Sequence, residues 1–392
     1  MRILLVSINP LVYNTSATIQ NRGFLVGLCE NGHEVDTLTM ELNKKNLAYD
    51  ESLESINKYI RKKYYLKLSN SYNTFSKKKD GVNSKWSLKP LAKKIYYKFK
   101  IYDAQSINIK NINKLEINLK NYDVILSCSD PKSSHLLVMR LLEYHNIKNY
   151  NWIQYWGDPM LKDITREKGI LDFLVKKEEH KLLNKGTKII YATKFTEKIQ
   201  KEIFKEFNEK ITSVNLAHNF MENNKTISTV NTHNLTFGYY GAYYSKVRNI
   251  LNLYNVCIKE NLNLNICGDS DIQLSAVGNV KIFNKMNYKN VLEMEGNTDV
   301  LICILNRYGT QIPGKIFYLA SYNKPIIIII DGKYKEEMEK NFREYDRYIL
   351  CENNEKDILN ALNKAEEEIL LGKNYIAPTQ MSPDVVAKKI LS

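Results

Sequence analysis

The sequence predicts an α/β protein of two doubly wound, parallel-sheet domains, and three observations carry that prediction. Short runs of Val, Ile and Leu alternate with stretches of helical spacing along most of the 392 residues. This is the pattern of β-α units whose crossovers return to a parallel sheet. Ile326 to Ile330 are five β-branched residues with no polar alternation, which marks a strand covered on both faces. The alternation also stops and restarts. Residues 221–234 carry Asn, Thr and Ser without apolar periodicity, as a linker does. The reading is an N-terminal domain over 1–220, a linker over 221–234, a second domain over 235–376, and a segment 377–392 whose helix crosses back onto the first domain.

Arg2-Ile-Leu-Leu-Val-Ser-Ile8 reads as the first strand and is too short an apolar run for a signal peptide. A polar loop over 9–16 leads into a helix over 17–30, which Asn31-Gly32-His33 ends as a glycine C-cap. Residues 34–40 form the next strand, and His33 beside the turn glycine is read as structural. The alternation resumes with a strand over 122–128. Ser129-Asp130-Pro131 then caps a helix to about 145, and a strand follows over 151–156. After it, Gly157-Asp158-Pro159 sets a carboxylate at the C-terminal end of a parallel strand, the edge where open α/β sheets bind ligands. An Asp before Pro is also an ordinary turn-former. A helix over 168–184, a strand over 187–192, a helix over 193–207 and a strand over 211–216 complete the domain.

Between 42 and 120 the composition changes to a basic, Lys- and Tyr-rich insertion. Residues 58–100 hold 14 Lys and Arg against one acid, Asp80, and so account for +13 of the net +14. Nine aromatics lie in the same stretch, with helical patches expected at 57–68 and 90–99. A solvated insertion is the plain reading. The functional one is an anionic membrane surface, which basic helices with interleaved aromatics suit. Single-stranded nucleic acid draws on the same chemistry, but the near-neutral remainder of the chain argues against it. No apolar run approaches eighteen residues, so no bilayer span is expected. The six cysteines, 29, 128, 257, 267, 303 and 351, form no C-x-x-C pair. They read as small hydrophobes of a reducing cytoplasm, with no metal.

The second half restarts with a strand over 235–240 closed by Gly241. A loop with Lys246 and Arg248 leads to Asn249, a plausible N-cap, and a helix over 250–260. A strand over 262–267 runs into Gly268-Asp269-Ser270-Asp271, read as a turn rather than a metal site. Strands over 280–283 and 300–305 flank a helix over 288–295. Gln311-Ile-Pro-Gly-Lys315 then enters a short helix over 315–321. A strand at 348–351 and helices over 355–371 and 384–391 end the chain. A glycine turn and a cation at a helix start present backbone N–H groups, a positive dipole end and a full charge to an anion. Lys315 is thus the strongest anion-binding candidate, and Arg248 repeats its logic.

Taken together these motifs resemble a GT-B glycosyltransferase of the large retaining family that builds bacterial polysaccharides and glycoconjugates (the group 1, family 4-like type). The first β-α-β unit with Asn31-Gly-His-Glu-Val35, the Ser129-Asp-Pro131 and Trp156-Gly-Asp-Pro159 turns, and Tyr239-Tyr-Gly241 through Arg248-Asn249 match in order. Gln311-Ile-Pro-Gly-Lys-Ile-Phe317 and Asn323-Lys-Pro-Ile326 are the most specific.

The resemblance implies two Rossmann-like domains facing a cleft. It implies transfer of a sugar from a nucleotide-diphospho-sugar to a glycan or lipid-linked acceptor, with retention and without a metal or cofactor. Arg248 and Lys315 would stabilise the leaving diphosphate, while Gly241 and Gly314 let backbone N–H groups approach it. The donor side would also take in Tyr243, Thr310, Gln311, Pro313 and Tyr318. Asp158 and the loop Asn14, Thr15 and Ser16 would orient donor sugar or acceptor, with Ser129, Asp130 and Trp156 on the acceptor side. The implied place is the cytoplasm, peripheral on the inner face of the plasma membrane, with no nucleic-acid partner. The family's two glutamates are replaced, falling near Thr310 and at Tyr318. Two alternatives stay open: a nucleotide-sugar epimerase of the same architecture and a non-catalytic partner subunit. An NAD enzyme is disfavoured, since no G-x-G-x-x-G follows the first strand.

Overall fold

The computed structural model describes residues 1–69, 101–164, 166, 169, 171–218 and 235–392. The linker over 221–234, the expected helix at 90–99 and most of the basic stretch therefore lie outside the described residues. The chain divides into two compact units, residues 1–49, 54–214 and 389–392 in one, and 50–53 and 215–388 in the other.

Unit 1 runs β1 (Arg2–Val6), α1 (Ser16–Glu30), β2 (Glu34–Met40), β3 (Lys62–Leu66), β4 (Val124–Ser129) and α2 (Ser133–Tyr144). It continues through β5 (Trp152–Trp156), α3 (Asp172–Lys185), β6 (Lys188–Tyr191), α4 (Lys194–Ile203) and β7 (Ile211–Ser213). The seven strands are parallel in the order β3-β2-β1-β4-β5-β6-β7. Strand order reverses between β1 and β4, so their C-terminal loops meet at the switch point where open α/β sheets bind ligands. Those loops carry residues 9–15 and 130–132. Central strands such as β4 and β5 are buried at every position, as both-face coverage demands.

Unit 2 repeats the plan. Its elements are β8 (Thr236–Tyr240), α5 (Leu251–Lys259), β9 (Asn263–Cys267), β10 (Val280–Phe283), α6 (Tyr288–Gly296), β11 (Val300–Ile304) and α7 (Lys315–Leu319). Then come β12 (Ile326–Ile330), α8 (Lys335–Arg343), β13 (Ile349–Glu352) and α9 (Glu355–Leu370). The parallel order is β10-β9-β8-β11-β12-β13. The isoleucine strand β12 is fully buried, and the switch point lies between β8 and β11. The last helix, α10, covers Pro383–Leu391.

One local expectation is corrected, and two elements were not foreseen. Residues 57–68 are not helical: a 3₁₀ segment, Glu51–Tyr59, is followed by β3 at the sheet edge. Edge strands tolerate lysines on their solvent side, so a Lys/Tyr run that fits a helix by composition pairs instead with β2. A 3₁₀ run over Ala104–Lys114 and the helix α8 were not anticipated. α8 is strongly charged and buries only Met338 and Phe342, one turn apart, a pattern of two positions too short to stand out in the sequence.

Candidate active site

In unit 2 the expected donor residues gather on the loops after β8 and β11. Arg248 donates from Nε to Asn306 Oδ1 at 3.0 Å and from Nη1 to the Ala242 carbonyl at 2.8 Å. Asn306 in turn donates from Nδ2 to the Gln311 carbonyl at 2.9 Å. The two switch-point loops are thus tied through Asn306. Lys315, first residue of α7, is held by the Glu295 carboxylate at the end of α6. The other Glu295 oxygen accepts from Tyr322 Oη at 3.1 Å. Burial pulls the Lys315 ammonium down, yet Glu295 outweighs it and the ammonium ends above its ordinary value. Burial raises the Tyr239 phenol, while Arg248 and Lys315 are both close enough to pull it down. The two cations therefore share one electrostatic neighbourhood. Gln311 is 7 % exposed, and neither end of its side-chain amide has a partner among the described residues. It lines a small recess with Asn306, Arg307, Gly309, Asp331 and Tyr334 at the ends of β11 and β12.

Several donor-side residues of this unit are buried or engaged within the fold. The Gly241 N–H is spent on the Cys267 carbonyl at 2.9 Å, so it is not free for a phosphate. The close approach there belongs to Gly268 instead, whose added Cβ would sit 2.1 Å from the Gly241 carbonyl oxygen. Tyr243 is a core residue at 3 % exposure, packed edge-on to Tyr239. Tyr318, at the position where the resembled family carries a glutamate, is buried, and its hydroxyl lies 2.8 Å from where a Cβ on Gly314 would be. Thr310 is buried at 6 % exposure, and Pro313 is half-buried.

In unit 1 the acceptor-side residues separate into two groups. Thr15 caps α1, its Oγ1 accepting from the Thr18 N–H and its own N–H bonding Thr18 Oγ1. Asn14 gives its N–H to the Ala48 carbonyl, and Ser16 opens the helix. This loop holds the helix start. Trp156 is fully buried, donates to Gln154 Oε1 at 3.0 Å and lies 4.2 Å from the His135 ring, so it supports the site from within the core.

Asp130 and Asp158 instead come together. One carboxylate oxygen from each of Asp130, Asp158 and Asp163 lies within 4.8 Å of the other two. Lys132, 7 % exposed, places its Nζ against Asp130 and 3.3 Å from Asp163. That ammonium is shared by Asp130 and Asp163. Burial depresses Lys132, but Asp130, Asp163 and Asp158 outweigh burial and raise it. Burial, then the Asp130 charge, pushes Asp158 well above the usual carboxylate range. Ser129, fully buried, offers its carbonyl to Gln20 Nε2 at 3.3 Å. Below the cluster, Glu179 of α3 accepts the Met160 and Leu161 N–H groups at 3.0 and 2.8 Å. Burial pushes it up to about 7. His135 bonds Ser127 Oγ at 2.7 Å, and burial with Lys132 keeps it neutral.

No protein-family profile and no curated protein matches this sequence. Solved structures do. The catalytic domain of starch synthase IV from Arabidopsis thaliana, bound to ADP and acarbose, aligns at 9 % identity with a TM-score of 0.57, covering 100 % of this chain and 94 % of that one. An alpha-glucosyltransferase in complex with UDP and DNA aligns at 10 % identity and TM-score 0.55, covering 100 % and 95 %. Sucrose-phosphate synthase from Thermosynechococcus elongatus aligns at 11 % and 0.53, covering 100 % and 94 %.

The chain has the GT-B fold. On this GT-B frame, the residues that sequence motifs singled out sit with others the motifs did not: Asp130 and Asp158 with Lys132 and Asp163, Arg248 with Asn306, and Lys315 with Glu295. Lys132 directly follows a quoted motif and could have been read from Asp-Pro-Lys. Glu295 is one acid among several in α6, and only the tertiary fold sets it against Lys315.

Proposed function

We propose that the protein is a glycosyltransferase that moves a sugar from a nucleotide-diphospho-sugar to a glycan or lipid-linked acceptor in cell-surface polysaccharide synthesis, with retention and without a metal. The observation that carries the reading is the pairing of Arg248 and Lys315 beside the β8/β11 switch point of a GT-B chain. There the two cations and a helix start offset the charge of a leaving diphosphate. Asp158 orients the donor sugar or the acceptor by hydrogen bonds. Starch synthase IV bound ADP and the alpha-glucosyltransferase bound UDP, which supports a nucleoside diphosphate as the leaving group. No helix among the described residues is long and apolar enough to cross a membrane. We place the protein in the cytoplasm, where the basic stretch 58–100 would meet a lipid-linked acceptor on the inner leaflet. A thermal-shift screen with UDP, GDP, CDP, TDP and ADP tests the donor half. One nucleotide should raise the melting temperature, and Lys315→Ala should lose that rise. Chelator should leave transfer unchanged, and the anomeric configuration of the product reports retention.

The engagement of Lys315 by Glu295, together with the missing acid at Tyr318, favours one second reading, a non-catalytic GT-B subunit. No shift with any of the five nucleotides would select it.

A further inference from the structure

The helix α3 carries two large apolar side chains that its packing does not use. Its inward face is Val175, Glu179, Leu182 and Leu183, all fully buried. These positions recur at helical spacing and already fill the stripe that covers the sheet. Phe173 and Leu174, in the first turn, lie outside that stripe and are 73 % and 41 % exposed. Lys176 and Lys177 beside them are exposed as well. Neither lysine has an acid partner among the described residues, Lys176 instead standing over the Phe204 ring. The nearby acids are met within the fold. Asp172 pairs with Arg166 at 3.5 Å, and Glu178 with Lys181 and with the Tyr102 hydroxyl. The turn therefore presents an apolar pair and two uncompensated cations.

The place of this turn is a second, separate observation. It follows the loop from the C-terminal end of β5, which carries Asp158 and Asp163. Tyr102, which bonds Glu178 of α3 at 3.3 Å, lies where the chain returns from the basic stretch. The next residue, Asp103, bonds the Ser133 N–H at 2.8 Å at the start of α2. The exposed turn, the end of the basic stretch and the acceptor-side loops after β4 and β5 thus share one end of unit 1.

We infer that Phe173 and Leu174 are an interfacial anchor that enters an anionic bilayer, with Lys176 and Lys177 against its headgroups, and so hold the acceptor end of unit 1 at the membrane. The inference rests on the reading of a lipid-linked acceptor and names a contact outside the basic stretch. The occupant is a bilayer because the patch is two side chains of one helical turn. A specific protein interface needs about 800 Å² from each partner. A bilayer interface instead takes up protruding apolar groups to a depth of about 5–10 Å beside cations.

The test uses the full chain and vesicles of equal parts phosphatidylserine and phosphatidylcholine. Phe173→Trp supplies a reporter, read as emission in excess of the native protein. On vesicles that added emission should shift to the blue and be quenched by lipids brominated in the acyl chain. Phe173→Ser/Leu174→Ser should keep the native melting temperature and bind about tenfold more weakly at low and high salt alike, the size of one apolar side chain left in water. Lys176→Gln/Lys177→Gln should weaken binding about tenfold at low salt and little at high salt. Added emission that stays unchanged while the protein is bound overturns the inference and leaves the basic stretch as the membrane contact. A clear fall in melting temperature in the serine variant also overturns it, by showing that the pair packs within the fold. So does a change in the mass of that variant in solution, which marks a contact between copies. Failure to bind the anionic vesicles at all removes this inference together with the lipid-linked acceptor, and the nucleotide screen then shows whether the donor half stands.

Discussion

At the scale of single residues, the Lys315–Glu295 pair shows why a mutation at a binding cation has to be read twice. Glu295 has a side chain only 3 % exposed, against 30 % for Lys315. Lys315→Ala therefore removes the charge that the proposed reading sets against the donor, and among the described residues it leaves the buried Glu295 carboxylate with the Tyr322 hydroxyl. The rate of transfer should fall about 10²–10³-fold, as for other groups that stabilise developing charge. The melting temperature should fall as well, because an orphaned buried acid costs about 1–3 kcal/mol or more. The double variant Lys315→Ala/Glu295→Gln separates the two effects. It should recover most of the melting temperature and none of the nucleotide-induced rise. Recovery of both would show that Lys315 serves the fold alone.

Glu179 gives a second residue-scale prediction, this time in pH. Its carboxyl is raised from the ordinary 4.5 to about 7 by burial, against the pull of two N–H donors. Between those values the folded state keeps a proton that the unfolded chain has released. The group's contribution to stability is therefore full below about 4.5 and is lost as pH rises toward 7, a change of about 3 kcal/mol. Glu179→Gln lacks this dependence. Its stability relative to the native protein, followed by denaturant unfolding at several pH values, should improve steadily from pH 4.5 to 7 and then level off.

At the scale of elements, legibility tracked burial. β12 announced itself because a parallel central strand must be apolar on both faces, and the Gln311–Lys315 turn stood out because glycine, proline and lysine in that order punctuate a strand-to-helix step. β3 was lost because an edge strand buries little: of Lys62 to Leu66 only Leu66 is fully covered. A Lys/Tyr stretch of that kind has no period to read. The start of α2 shows the other blind spot. The sequence offers Ser129-Asp130-Pro131 as its cap, but the N-cap position, Lys132, makes no side-chain cap bond. The bond is made instead by Asp103, thirty residues upstream, which accepts from the Ser133 N–H at 2.8 Å and from its hydroxyl at 2.5 Å. A carboxylate there also suits the positive end of the helix. Only tertiary structure brings it in. Asp103→Ala should cost about 1 kcal/mol of stability. It should also loosen the 130–132 turn, which hydrogen exchange at Ser133 and Ser134 would register. The site itself divides in the same way. Motif residues were found, and their partners, Asn306, Glu295 and Lys132, were set by packing between elements far apart in sequence.

At the scale of the whole molecule, charge is the property still to be tied to function. Of the net +14, residues 58–100 supply +13, so the rest of the protein is nearly neutral and adds little net attraction for a polyanion. Each cation near an anionic bilayer contributes about 1 kcal/mol, and the attraction fades beyond a Debye length of about 10 Å at 0.1 M salt. Aromatics interleaved with those cations add an interfacial contribution that salt does not screen. The expected behaviour has two parts. The protein should float with vesicles containing phosphatidylserine at low salt and not with phosphatidylcholine vesicles, and it should be released as salt rises. Replacing Lys77, Lys78 and Lys79 by Gln should lower the salt at which release occurs, while Trp86→Ala should weaken binding about equally at low and high salt. Flotation with neutral vesicles equal to that with anionic ones would remove charge as the cause. No flotation on anionic vesicles at low salt would remove the membrane reading and leave a soluble acceptor as the substrate to seek.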